Sequence, residues 1–522
     1  MTLRRTLHAC AALAAALQSI ATTGIGAQSE SGANGARPAL LIRGGSVLDG
    51  SGGTARRLDV RIVGDTIAEV AASLAPHPGE RVIDASGLTV APGFIDLHSH
   101  ADRGIEETPS AESQLRQGIT TSVVGQDGGS ALPVSDFLEM IDRLHPAINF
   151  VTMVGHGTVR AAVMGADFRR PATAEEIEAM KVLVNRGMLD GAVGLSSGTE
   201  YDPGFYAEPE EIQALARVVA PFGGYYASHV RDEEDSVLSA WREVIDVGRA
   251  AGIPVHISHA KLASSSVWGK APAALALLDS AERDGVRVTA DWYPYTYWSS
   301  SIYVVIPDRD FDNRAKWEKG LADIGGAGNI LVTSYRPDPS LQGKTIAEIA
   351  RLRETDPIST IIEMIHTAGP DIGIIATAMD ESDLNTLLAD PRVMICSDGS
   401  PTGSHPRAFG AFPRVLGEFV RERRVIPLPE AIAKMTSRSA RLLGLTDRGT
   451  IAARKKADLV IFDPTRVADR GTKLEPARHP TGIQYVVVNG ELVLDGGRIT
   501  EARPGQALRR RGSQTAHTGS GR

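Results

Sequence analysis

The sequence holds only two cysteines, Cys10 and Cys396, among 522 residues. A disulfide framework is excluded. No apolar run of membrane-spanning length follows the N-terminus, which excludes an integral membrane protein. Long basic stretches are also missing from the folded region and the formal net charge is −8, so nucleic acid is not an expected partner. What is present is the balance of a globular chain, 42% apolar and 23% charged. Its length exceeds one ordinary core, since single cores stop growing near roughly 250–300 residues. A large barrel with satellite modules fits.

The two ends read differently from the middle. Arg4-Arg5 precede an Ala-rich apolar run from Ala9 to Ile20, and small residues lead to Ala27-Gln28. That charged, apolar, small order predicts a signal peptide over 1–27 and a secreted or periplasmic protein. An N-terminal core helix is the competing reading, and Arg4-Arg5 also admits a twin-arginine route. Cleavage would remove Cys10 and leave Cys396 alone. At the other end, 501–522 is Gly-, Ser- and Arg-rich without periodicity. It reads as a flexible tail, with Arg509-Arg510-Arg511 as solvated charge.

Between the ends, short β-branched runs alternate with helical stretches such as Ala174–Leu189 and Glu210–Ala220. The predicted strands are Phe94–His100, Ile119–Gly125, Ile148–Gly155, Gly191–Ser197, Gly223–His229, Ile253–His259, Val286–Trp292 and Arg392–Asp398. Eight such units predict an α/β fold, a TIM-like (β/α)8 barrel with active groups at the strand ends. Strands one to seven and their connections take 91–301, and strand eight with the final helices takes 391–446. The long interval 302–390 predicts an inserted subdomain before strand eight, with helices at Thr345–Arg353 and Pro357–His366. Strand-like alternation at 38–90 and 447–500 predicts one small β-sandwich assembled from both chain ends, because neither flank alone can bury a core.

The polar residues at the strand ends carry the chemistry. His98 and His100 close strand one, and alternation sends both imidazoles to the same side. His229 closes strand five, His259 strand six and Asp398 strand eight. Imidazoles and a carboxylate converging at a barrel mouth are a donor set for a divalent transition metal, above all zinc.

These residues sit in motifs that resemble the amidohydrolase superfamily, beginning with Ala91-Pro-Gly-Phe-Ile-Asp-Leu-His-Ser-His100. More narrowly, the chain resembles the N-acyl-D-amino-acid deacylases, or D-aminoacylases. The matching pieces include Gly118-Ile-Thr-Thr121, Val154-Gly-His-Gly157, Gly194-Leu-Ser-Ser-Gly198 with Glu200-Tyr201, and Ser228-His-Val-Arg-Asp-Glu233. They continue through Ile257-Ser-His-Ala-Lys261, Tyr293-Pro-Tyr-Thr296, Ser397-Asp-Gly399 and His405-Pro-Arg407. The resemblance runs in order from about Leu40 to Asp495. It implies a metal-dependent amide hydrolase that deacylates N-acyl-D-amino acids. His229 and His259 would hold a tight zinc ion, with His98, His100 and Asp398 around a second, weaker position. Asp398 would also be the proton shuttle for attack by a metal-activated water. Tyr201, Lys261 and Ser299 match positions that hold the substrate carboxylate.

The chain departs from the family in two places. The family reads Gly-Asn-Cys-Gly after strand two; here stands Gly125-Gln126-Asp127-Gly128. Asp127 is expected to ligate in place of the thiolate, and being a harder ligand it admits divalent metals other than zinc. Strand four has no lysine near Ser196-Ser197, which excludes there the carbamylated-lysine bridge used by hydantoinase-like relatives. Tyr297-Trp298 is bulkier than the family's small residues and would reshape the pocket. His156 has two readings, a hydrogen-bond donor to the reacting carbonyl or a support for a ligand. His405 is a candidate pocket residue, His256 a structural one, and Arg231 either orients the site or pairs with Asp232 or Glu233. The expected partner is a small N-acyl amino acid or short peptide. Rival readings are a dipeptidase or cyclic-amide hydrolase on the same barrel, and an inactive scaffold.

Overall fold

The computed structural model describes residues 39–510; the signal-peptide expectation over 1–27 lies outside them. Eight short parallel strands form the barrel: Phe94–Asp96, Ile119–Val124, Asn149–Thr152 continued by Val154–Gly155, Gly194–Gly198, Tyr225–His229, Val255–Ile257, Val288–Trp292 and Val393–Ile395. The ring closes where Ser99 bridges Gly399 in parallel register. Asp96 cements that seam, its carboxylate accepting from the Ser397 backbone N–H at 2.8 Å and the Ser397 hydroxyl at 2.5 Å. Burial pushes Asp96 up to about 7, against those hydrogen bonds. Ile95, Val123, Val151, Met153, Val193, Ala227 and Met394 form a core cluster with Leu443, against which Leu442 and Leu508 pack.

Helices between the strands start and stop on sequence signals. Ala174–Asp190 opens with a capping box between Thr173 and Glu176 and ends at Gly191 in the left-handed region. Ile346–Leu352 opens on the same device, Thr345 with Glu348.

The two flanks form one nine-stranded sheet. Ala39–Val47 lies at its centre, antiparallel to Arg56–Val63 and parallel to Arg81–Asp84 and Thr89–Pro92. Thr89–Pro92 then pairs with Leu459–Phe462 from the C-terminal flank. A bridge from Thr66 to Lys456 brings the far edge back, so the sheet curls around its own core of Leu40, Ile42, Val60, Ile62, Ile461 and Val487. Because Ala91 and Pro92 belong to this sheet, the barrel begins at Phe94 rather than at 91.

Two boundaries differ further from the sequence expectation. The inserted subdomain starts at Tyr297 rather than 302, since Tyr297–Ser301 pairs antiparallel with Gly373–Thr377, which in turn pairs with Ile330–Ser334. Three consecutive serines disguised this strand. The C-terminal stretch through Arg510 is also not a loose tail. Phe150 bridges Ala507, and the Leu508 N–H donates to Phe150 O at 2.7 Å. Arg509 pairs with Asp142 at 2.5 Å, and Arg510 donates to the carbonyls of Phe222, Gly223 and Leu443. Backbone pairing, which composition does not reveal, holds this segment; Arg511 and the residues after it lie outside the described range.

Candidate metal centre and active site

The six proposed ligands meet at the C-terminal mouth of the barrel. His98, His100, Asp127 and Asp398 form one group able to hold an ion, and Asp127, His229 and His259 form another, with Asp127 in both. The Asp127 carboxylate lies 3.1 Å from His100 Nε2, 3.3 Å from His98 Nε2 and 3.5 Å from His259 Nε2. His229 Nδ1 is 3.0 Å from His259 Nε2. Asp398 stands 3.4 Å from His100 Nε2 and 3.7 Å from His98 Nε2.

The loop that delivers Asp127 depends on glycine. Asp127 has φ +53° and Gly128 φ +77°. A Cβ on Gly128 would stand 2.9 Å from Gly198 N, and one on Gly198 would stand 2.4 Å from Asp127 O. The loop therefore settles directly on the end of strand four. Ser196 fixes it there, its hydroxyl donating to Gly125 O at 2.5 Å and accepting from Gly128 N–H at 3.2 Å. Gln126 reaches back to Leu97 O at 2.8 Å and ties the loop to strand one.

Second partners orient the imidazoles. His229 Nε2 meets Glu200 at 2.6 Å, leaving Nδ1 toward the centre. His259 Nδ1 meets Glu233 at 3.1 Å, and the His259 N–H donates to Asp291 at 2.5 Å. Lys261 pairs with Glu233 at 2.5 Å. Arg407 pairs with Asp398 at 2.8 Å.

Charge is balanced tightly. Burial works against ionised Asp127, yet His98, His100 and His259 hold it well below the usual carboxylate range. Asp398 is buried too, and Arg407 with the imidazoles holds it well below that range. Burial opposes charge on His100, but Asp127 and Asp398 lift it to about 9. His259 faces burial and the Lys261 ammonium, and Glu233 with Asp127 still lifts it to about 10. Burial dominates at His98 and lowers it. Protons on His100 and His259 thus stand where an anionic pocket would take a cation. The fit to a metal ion is direct: Asp127 Oδ1 is buried between the His98 and His259 imidazoles and has no hydrogen-bond partner among the described residues.

A cavity of about 440 Å³ opens over this cluster. Tyr201, Lys261 and Ser299 line it, as do Trp298, Tyr303 and Arg407. The first strand of the inserted subdomain supplies Trp298 and Ser299, so the insertion walls the pocket.

Three expectations are corrected. His156 does not face the cavity: it is fully buried, with Nε2 2.8 Å from Glu211, which also pairs with buried Arg160. The helix begins at His156 itself and carries the ring away from the mouth. His405 lies under the inserted strand, its Nε2 3.0 Å from Tyr297 O. Arg231 pairs with Glu243 at 2.8 Å, not with Asp232 or Glu233. His256 is structural, meeting Thr289 and Asp291 at 2.8 Å each. Sequence reasoning did not assign Glu200, Glu233, Asp291 or Arg407 their parts. The available signal was an acid inside an otherwise apolar strand for Asp291, and adjacency to assigned residues for the others.

The sequence pattern described as Amidohydrolase family matches residues 81–299 and 327–494. The chain belongs to the amidohydrolase family. This amidohydrolase is 37% identical over 495 residues to an N-acyl-D-glutamate deacylase of Alcaligenes xylosoxydans xylosoxydans, covering 90% of this chain and 96% of the relative. A D-aminoacylase of the same organism is 36% identical over 90% of this chain and 97% of its own length. A crystal structure of N-acyl-D-glutamate deacylase from Bordetella bronchiseptica, complexed with zinc and a phosphonate mimic of the tetrahedral intermediate, superposes with a TM-score of 0.82. It is 36% identical and covers 91% of this chain and 100% of that one. Among the described residues, no helix is long and apolar enough to cross a membrane.

Proposed function

We propose that this amidohydrolase removes the acyl group from N-acyl-D-amino acids. The observation that carries the reading is one cavity in which Asp127, His229, His259 and Asp398 converge at the barrel mouth beside Lys261 and Ser299. The deacylase relatives, similar over nine-tenths of the chain, support the substrate class. Asp127, His229 and His259 would hold one divalent ion, zinc in the first instance, and His98, His100 and Asp398 the surroundings of a second. When bound, the ion supplies Lewis acidity to the scissile carbonyl and lowers the pKa of the attacking water.

The chain's own residues do the rest. Arg407 keeps Asp398 ionised before the reaction, so the carboxylate is free to accept the water's proton. A carboxyl whose pKa is held so low gives the proton up readily, and the departing amine receives it. Lys261 takes the substrate α-carboxylate, helped by the hydroxyls of Tyr201 and Ser299. Anchoring that carboxylate selects enantiomers, because inversion swings either the side chain or the amide away from the metal. Trp298 and Tyr303 form the more apolar wall, suited to an acyl group.

The test is a panel of N-acetyl-D-amino acids, their L-enantiomers, dipeptides and cyclic amides, run beside metal analysis by mass spectrometry. Turnover of the D-series with bound metal is expected; equal turnover of D and L, or preference for dipeptides, overturns the reading. The charged, apolar, small order of residues 1–27 supports export of the enzyme. A mature N-terminus near Gln28 is expected from N-terminal sequencing, and an intact Met1 in the native host's cytosol overturns it.

A further inference from the structure

A second cavity, of about 450 Å³, lies at the opposite, N-terminal end of the barrel strands. Its size is within the range of small-molecule sites. Tyr225, Val288 and Met394, from strands five, seven and eight, form its floor, and Leu442 adds to the apolar surface. Five arginines line it against one acid, Glu282, in a chain whose net charge is −8.

Two of the five arginines are satisfied structurally. Arg392 pairs with Asp390, Asp279 and Glu282, and Arg438 with Glu430. Among the described residues, the other three, Arg287, Arg441 and Arg510, have no carboxylate within salt-bridge distance, although Arg510 is hydrogen-bonded to backbone carbonyls. Three guanidinium groups without a carboxylate partner around one concavity give it a positive potential that attracts an anion.

An independent observation concerns Tyr225. It is 2% exposed and lines this cavity, and its hydroxyl hydrogen-bonds to no described residue. The hydroxyl oxygen itself keeps solvent contact, which leaves it free to donate to a ligand. The segment that supplies Arg510 is also the one the sequence presents as a tail. Its pairing along Phe150 places a guanidinium at the cavity edge.

We propose that this cavity binds a small anion with an apolar body. The phosphate or carboxylate head is held by Arg287, Arg441 and Arg510, with the Tyr225 hydroxyl as a further donor, and the body packs on Met394 and Leu442. This site lies away from the catalytic cavity and shares no lining residue with it.

The test is calorimetric titration of the zinc-loaded full chain with phenyl phosphate, benzoate and inorganic phosphate, repeated on Arg287→Ala/Arg441→Ala. Both arginines are exposed, so the variant is expected to fold and to keep its hydrolytic activity. Phenyl phosphate or benzoate is expected to saturate the protein, whichever binds tighter naming the head group. In the double variant Kd rises about tenfold or more, the scale of one lost charge-assisted hydrogen bond. Inorganic phosphate is expected to bind more weakly than phenyl phosphate, and equal affinities overturn the apolar half of the assignment. Absence of saturable binding, or an unchanged Kd in the double variant, overturns the site.

Discussion

Asp127 is the residue on which the metal centre turns, and its replacement gives the sharpest test. Its carboxylate lies 3.1–3.5 Å from His100, His98 and His259 and is the only side chain common to both ligand groups containing those imidazoles. A unit charge pair near 4 Å at an effective dielectric of about 20 interacts by about 4 kcal/mol. Losing even that much from an ion's binding energy weakens its Kd by about a thousandfold. Asp127→Ala is therefore expected to lose metal on dialysis and activity with it. Asp127→Cys restores a ligand and is expected to retain metal, with preference shifted toward zinc.

The backbone supplies the control. With φ at +53°, position 127 disfavours alanine by about 1–2 kcal/mol, so part of any stability loss in Asp127→Ala is local strain. Asparagine tolerates that conformation and keeps the shape while removing the charge. Asp127→Asn is thus expected to fold well and still bind metal poorly. Metal per protein is measured by mass spectrometry beside kcat for all three variants. Full metal occupancy in a folded Asp127→Ala protein refutes ligation and leaves Asp127 as a turn residue only.

Lys261→Met is expected to raise KM for N-acyl-D-amino acids and also to strand buried Glu233, costing about 3–5 kcal/mol in stability; adding Glu233→Gln is expected to recover the stability but not the KM, and an unchanged KM refutes the carboxylate clamp. His156→Ala is expected to lower stability by about 1–3 kcal/mol through loss of the Glu211 contact. Its KM should stay near wild type; a large KM change at unaltered Tm would put His156 back in the pocket. Because His100 and His259 are raised to about 9 and about 10, both are protonated near neutral pH before an ion enters. Metal must displace those protons, so affinity is expected to climb from neutral pH toward about 9, with roughly one proton released per ion bound and two when both positions fill. Calorimetry in buffers of different ionisation enthalpy reads that number, and zero release contradicts it.

The convergence of the proposed ligands was legible in the sequence because strand alternation and strand ends constrain it: His98 and His100 two apart, then one residue at each of several strand exits. Asp127 was legible as a substitution within a Gly-x-x-Gly frame. What supports the ligands was less visible. Glu200 and Glu233 reach imidazoles from neighbouring loops, and Asp291 reaches across from the adjacent strand to His256 and the His259 backbone. Such contacts depend on rotamers and on register between strands, which no single segment encodes. His156 shows the converse failure. It ends a barrel strand like the proposed ligands, but helix formation starts at that residue and turns the ring outward toward Glu211. The tail was misread because its ordering comes from pairing with Phe150, a partner more than 350 residues away in sequence.

Strain and charge at the mouth point the same way. Asp127, His259 and Asp398 all have positive φ, at +53°, +33° and +46°. Each such residue costs of order 1–3 kcal/mol and persists only where its surroundings over-determine it. Here they do. The Gly128–Gly198 approach fixes Asp127, Asp291 accepts from the His259 backbone, and the Asp398 N–H donates to His98 O at 2.8 Å across the barrel seam. None of these conformations is required by barrel geometry, since strands three and five reach their ends without one. The three residues that bear strain are two proposed ligands of the central group and the proposed proton shuttle. A fold optimised only for stability would relax them. The backbone cost is instead carried where donor atoms must face inward, at the ends of three different strands, toward one point. Replacing Asp291 by Asn keeps a hydrogen-bond acceptor for the His259 N–H and is therefore expected to leave metal stoichiometry largely intact. Asp291→Ala removes the acceptor, frees position 259 to relax, and should lower metal occupancy without touching the ion directly. Equal occupancy in both variants, measured by mass spectrometry on folded protein, would show that the conformation of His259 does not depend on Asp291.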